Sequence, residues 1–184
     1  LDAYKAAVGG TELVLNHLNN GTVLIGTSTV VAAGGCLQLR SGITFPATQV
    51  ASSDANTLDD YEEGTWTGTM TGSTTNPTTP VTATGRYTKI GRQVYVQISF
   101  QNVDTTGASG TAAITGLPFT SAAGALGSVA SYSTLSFTGS LVSSIGSSET
   151  SISFLASSSA STWNAASHSA GSTRFLVAEM TYTV

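Results

Sequence analysis

Charge is what this 184-residue chain has least of: six Lys+Arg and ten Asp+Glu make up 9% of it, against about a quarter in an ordinary soluble domain. Nonspecific affinity for nucleic acid rests on several cationic contacts per site, so six scattered bases, with a pI near 4.9, leave no phosphate-tracking surface. Nucleic acid is therefore not an expected partner. Cysteine occurs once, at Cys36. That excludes an intrachain disulfide framework and a cysteine-based metal cluster within one protomer, and it fits synthesis in a reducing compartment. No run of about 18 apolar residues occurs, and no basic segment precedes an apolar stretch, so neither a membrane span nor a secretory signal is expected. The chain opens at Leu1 without Met and reads as part of something longer.

Small residues fill the space that charge vacates: 26 Ser, 30 Thr and 20 Gly occupy 76 positions. With 40% hydrophobic residues and a mean hydropathy of +0.17, there is too much apolar content and too little charge for disorder. Thr and Val favour the half-buried surface of a strand, while Gly and Ser punctuate turns and weaken helices. The chain should fold as β structure.

Residues 1–50 predict short pieces: one or two helical turns before Gly9, a hairpin through Asn20-Gly21, then extended runs around Cys36, Leu37 and Leu39 and around Ile43 and Phe45. Strands about four residues long cannot bury their apolar faces alone, so copies of the same chain must supply the missing partner, as in an intertwined fibre shaft. Residues 51–63 then collect five acids (Asp54, Asp59, Asp60, Glu62, Glu63) and no base, and read as an acidic linker. From 64 to 184 the pattern is a β domain. Trp66 and Met70 alternate with threonines, and 72–84 reads as an exposed loop. Val94, Val96, Ile98 and Phe100 alternate with polar residues over 92–101, paired with 85–89 across a turn at Ile90-Gly91. Further strands are expected at Thr111–Thr115, Gly127–Tyr132, Leu135–Ser143, Thr150–Leu155 and Arg174–Val184. Short strands separated by Gly/Ser turns, with no helical pattern between them, predict an antiparallel β-sandwich, jelly-roll-like.

Catalytic chemistry is sparse. The chain has two histidines 151 positions apart and no G-x-S-x-G elbow, H-E-x-x-H or Gly-rich phosphate loop. Neither His17 nor His168 is given a catalytic role, and no enzyme activity, cofactor or metal is expected. The acidic cluster has three readings: a calcium site, the paired carboxylates of a glycoside hydrolase, or a solvated junction. DDYEE lacks the glycine and ligand ladder of an EF-hand loop, which favours the junction. Asn20-Gly21-Thr22 matches a glycosylation sequon, although a hairpin turn explains it better. Aromatic and amide side chains in loops are the remaining signal, because rings stack on sugar faces while Asn and Ser hydrogen-bond hydroxyls. Tyr132, Trp163, Asn164 and His168 are the candidate ligand-binding residues. The plainer reading of Trp163 makes it a cap on the core.

LDDYEEGTW (58–66), GRYTKIGRQV (85–94) and ITGLPF (114–119) resemble the C-terminal domain of tailed-bacteriophage virion proteins, tail fibres above all. There a D-D-Y-E-E-G-T-W/F block opens a β domain, a G-R-Y-T-K/R-I-G hairpin follows, and G-L-P-F closes a strand. The resemblance covers about residues 20–120 and, loosely, the last strand; 121–170 match nothing. It implies a homotrimeric virion fibre, bound to other virion proteins, whose distal β domain adheres to a host-surface polysaccharide. A capsid decoration or head-fibre protein is the alternative. A depolymerase is disfavoured, since such enzymes build their carboxylate groove on a long β-helix.

Trimerisation is the first testable consequence. Burying Leu13, Leu15, Leu24, Ile25, Leu37 and Leu39 between copies, at about 1.5–3 kcal/mol each, gains roughly 9–18 kcal/mol per protomer before entropy. Light scattering at micromolar concentration should give a mass three times that of the chain; a stable monomer there would contradict the shaft reading.

Overall fold

A computed structural model describes residues 43–48, 50, 52–54, 56–157 and 162–184. The helical turns, hairpin and shaft expected over 1–50 fall outside these residues, apart from 43–48 and 50, which form no strand.

Alternation decides the long strands. Gln93–Val103 (β3) buries Val94, Val96, Ile98 and Phe100, and Arg174–Thr183 (β11) buries Leu176, Ala178, Met180 and Tyr182, with the intervening side chains on the outer face. Tyr61–Gly72 (β1) turns Trp66, Gly68 and Met70 inward, and Thr82–Ile90 (β2) turns Gly85, Tyr87 and Lys89 the same way. The remaining strands are Ala112–Thr115 (β4), Ala125–Tyr132 (β5), Leu135–Ser136 (β6), Ser140–Ile145 (β7), Ser151–Ser157 (β8), Asn164–Ala165 (β9) and Ser167–His168 (β10). Two expectations shift. Thr82–Thr84, read as loop, opens β2, and the single strand expected over Leu135–Ser143 breaks where Gly139 takes φ +89°. β1 also opens at Tyr61, inside the stretch read as acidic linker.

Every ladder between the named strands is antiparallel, in the order β4-β1-β2-β3-β11-β5-β7-β8-β9, and β4 also pairs with β8. That second pairing (Ala113↔Ser153, Ile114↔Ile152, Thr115↔Ser151) closes eight strands into a barrel. The all-β class expected from the sequence is what forms. The arrangement is a closed barrel with one extra strand, where a sandwich was expected, because the two would-be edges bond to each other. The short pair β6–β10 lies apart from this sheet.

Register defines two ends. Tyr61↔Ile90, Gln93↔Thr183, Ala125↔Ile145 and Thr115↔Ser151 lie at the near end, where β1 begins; Gly72↔Ala112, Val103↔Arg174, Phe175↔Tyr132 and Ser140↔Ser157 lie at the far end.

Glycine sits where the interior is most crowded. Trp66 and Gly85 are direct cross-strand partners, as are Gly64 and Tyr87, so each ring lies across a glycine of the facing strand. A Cβ on Gly64 would stand 2.6 Å from the Tyr87 hydroxyl oxygen, and one on Gly85 would meet the Trp66 indole and stand 2.8 Å from the Gln97 carbonyl oxygen. The side chains of Ile98, Ile114 and Trp66 likewise converge on Gly68. Glycine in a strand ordinarily weakens it, so Gly→Ala should stabilise on propensity alone. Here packing reverses the sign: Gly85→Ala should cost about 1–3 kcal/mol through overpacking. The exposed neighbouring change Thr84→Ala should stay within about 0.5 kcal/mol. Chemical denaturation of both variants measures this, and equal midpoints would contradict the interlock.

Candidate functional site

The near end gathers the sequence motifs. Lys89, from GRYTKIG, is buried against Asp60, from LDDYEE, and the two form an ion pair. The Lys89 ammonium also lies 5.7 Å from the centroid of the Phe119 ring, within cation–π range. Phe119, from GLPF, meets Tyr87 edge-on at 5.3 Å, and the Tyr87 hydroxyl donates to the Glu62 carboxylate. Gly116 enters this loop at φ +95°, where a Cβ would stand 2.5 Å from the Thr67 carbonyl oxygen. The loop is then stitched across the near end: Leu117 N donates to Thr150 O at 3.0 Å, Ala122 N to Thr183 O at 2.7 Å, and the Tyr182 hydroxyl to Phe119 O at 3.0 Å. The acidic segment is thus not wholly solvated, since Asp60 and Glu62 each have a partner inside the barrel mouth. Among the described residues no three His, Cys, Asp or Glu side chains are grouped to hold a metal ion.

The far end carries the loops. His168, in β10, is fixed to the barrel: its ring Nε2 lies 3.0 Å from Thr71 O, and its backbone N donates to Gly110 O at 2.9 Å. Just before it, the buried Ala166 exchanges backbone bonds with Phe154 and Ala112. Thr134 and Thr105, both fully buried, add anchors: the Thr134 hydroxyl donates to Phe175 O at 2.7 Å, and Thr105 N donates to Gly171 O at 2.9 Å. His168 therefore staples this segment to the barrel through both its ring and its backbone.

Tyr132, Trp163 and Asn164 differ from it. Tyr132 is 67% exposed and stacks edge-on against Phe175 at 6.0 Å. Trp163 is 54% exposed, so the reading of it as a core cap is wrong: the core is already filled by Trp66, Phe100, Phe154 and Tyr182, and Trp163 precedes the buried stitch instead of joining it. Asn164, exposed in β9, lines a cleft of about 430 Å³ with Ser136, Phe137, Thr138, Ala156, Ala165 and Ala166. The structure thus places the four candidates at one end without gathering them into one site.

Phe137 is the residue that sequence reading missed. It is 42% exposed on the cleft wall, and reading 135–143 as one strand hid it. The signal was Phe-Thr-Gly, since Gly139 marks a turn. Among the described residues no charged side chain lines this cleft, which offers an aromatic ring, two hydroxyls and an amide. A second cleft, of about 370 Å³, lies between 78–82 and 103–106. Its only charged residue, Asp104, is held below the usual carboxylate range by the Thr106 hydroxyl and N–H, which donate to it at 2.6 and 2.9 Å. That bonding closes a local turn. No protein-family model, curated protein or solved structure matches the chain.

Two near-end phenols yield a pH prediction. The hydrogen bond to Glu62 pushes Tyr87 up to about 12, and burial pushes Tyr182 up to about 12, from an ordinary 10.0. Between these values the folded state holds protons that the unfolded chain releases, so their contribution to stability is intact below about pH 10 and is lost as pH rises through about 12. Melting temperature should fall across that window while tyrosinate absorbance shows Tyr87 and Tyr182 among the late-ionising phenols. A flat profile to pH 12 would contradict the assignment.

Proposed function

We propose that this chain is the distal β domain, with part of the shaft, of a homotrimeric bacteriophage tail fibre, and that it adheres to a host-surface polysaccharide without enzymatic activity, cofactor or metal. The observation that carries this reading is a division of labour between the two ends of the barrel. The residues behind the resemblance to virion proteins, Asp60, Glu62, Gly64, Trp66, Gly85, Tyr87, Lys89 and Phe119, pack against one another along β1 and β2 and at the near end. The far end carries the uncharged cleft, lined by residues of 136–138 and 156–166, which fall within the stretch that the resemblance leaves unmatched. Loops on a rigid β scaffold vary without disturbing the core, which is where recognition is usually placed.

The cleft suits a neutral sugar. Phe137 offers a ring face, Asn164 a donor and an acceptor, and Ser136 and Thr138 hydroxyls, with no cation to select an acidic group. A shallow site of this kind binds weakly. Three sites per trimer and several trimers per particle would raise avidity by roughly 10²–10⁴ where geometry allows simultaneous engagement.

Competition for phage adsorption tests the proposal. Purified trimer should block adsorption to host cells. Phe137→Ala with Asn164→Ala should weaken that block about tenfold or more, as expected for losing one stacking contact and one hydrogen bond. Wild-type trimer that fails to compete would remove the adhesion reading and favour a decoration role on the capsid. An unweakened double variant would move the site away from this cleft.

A further inference from the structure

The Lys89–Asp60 contact at the near end has the makings of a covalent bond. Lys89 is 4% exposed and Asp60 6%, so both charged groups have left water. An ion pair in that position recovers little of its desolvation cost, whereas an amide between the same atoms removes both charges. The backbone fixes the approach. Tyr61↔Ile90 and Glu62↔Lys89 are ladder pairs, and Gly91 N donates to Asp60 O at 2.8 Å, so the two side chains face each other diagonally across β1 and β2. Such positioning replaces a bimolecular encounter with an intramolecular one. A second carboxyl group, Glu62, stands directly opposite Lys89 in the ladder and is oriented by the Tyr87 hydroxyl. The Phe119 ring, 5.7 Å from the ammonium, and the loop through buried Leu117 cover the group on the barrel side.

We propose that Lys89 and Asp60 become joined by a side-chain amide, formed within the folded chain with Glu62 as proton carrier. The Lys89 ammonium gives a proton to the Asp60 carboxylate that it contacts, and the freed lone pair on Nζ attacks Cγ of the resulting carboxylic acid. The Nζ–Cγ bond forms, and one Cγ–O bond breaks. The departing hydroxyl leaves as water, keeping the proton that Asp60 accepted and taking a second that Glu62 carries over from Nζ as the amide forms. Ammonium and carboxylate become amide plus water, with charge and atoms balanced and no oxidant or other reactant required. The product ties the start of β1 to the end of β2.

Intact-mass spectrometry of the purified full chain tests this. The wild-type mass should fall one water short of the sequence mass. After trypsin, the peptide 41–86 should appear linked to 87–92, because an acylated Lys89 is no longer cleaved. Lys89→Arg preserves the ion pair but cannot form the amide, so it should show the full mass while remaining folded by circular dichroism. Glu62→Gln should acquire the deficit more slowly after refolding from denaturant. A wild-type protein at full sequence mass overturns the proposal, as does a deficit that persists in Lys89→Arg.

Discussion

Three residues of β4, Ala113, Ile114 and Thr115, carry two ladders at once, and the rest of the architecture follows from that double pairing. A sheet of this size left open would expose the backbone groups of two edges; bonding β4 to β8 removes them. Closure in turn fixes how much can fit inside. Eight strands leave an interior that side chains just fill, so each bulky residue needs a small one facing it. Gly64, Gly68 and Gly85 meet that demand beneath Tyr87, Ile98 with Ile114, and Trp66. Loops then cover the ends, 116–124 over the near one and 166–171 over the far one, each tied by backbone hydrogen bonds.

This arrangement sets the packed motif residues apart from the uncharged cleft. Motif residues at the near end are committed to packing, to the Asp60–Lys89 contact and to the Glu62–Tyr87 hydrogen bond. None of that commitment reaches the cleft at the opposite end, where Phe137, just past β6, and Asn164, in β9, lie exposed. Side chains there can be replaced without disturbing closure.

Period-two alternation made β3 and β11 legible from sequence, because both are long and each buries one whole face. Closure was not legible: a four-residue strand carries too little pattern to show that it has two partners, and Ile114↔Ile152 is a contact between distant segments. GTWTG was legible as part of a strand, but nothing in it showed that Gly64 makes room for the Tyr87 ring of the neighbouring strand. At the far end, Trp163 and His168 looked alike as isolated ring residues in a serine-rich stretch. Only the buried Ala166 between them separates an exposed ring from a staple.

Amide hydrogen exchange across the β4–β8 seam tests closure most directly. The account predicts that amides bonded in the Ala113–Thr115 and Ser151–Ser153 ladder are protected to nearly the same degree as those between β3 and β11, since both open only when the barrel opens. Rapid exchange along the seam with full protection of β3 and β11 would describe a sheet with two free edges and would contradict the closed barrel.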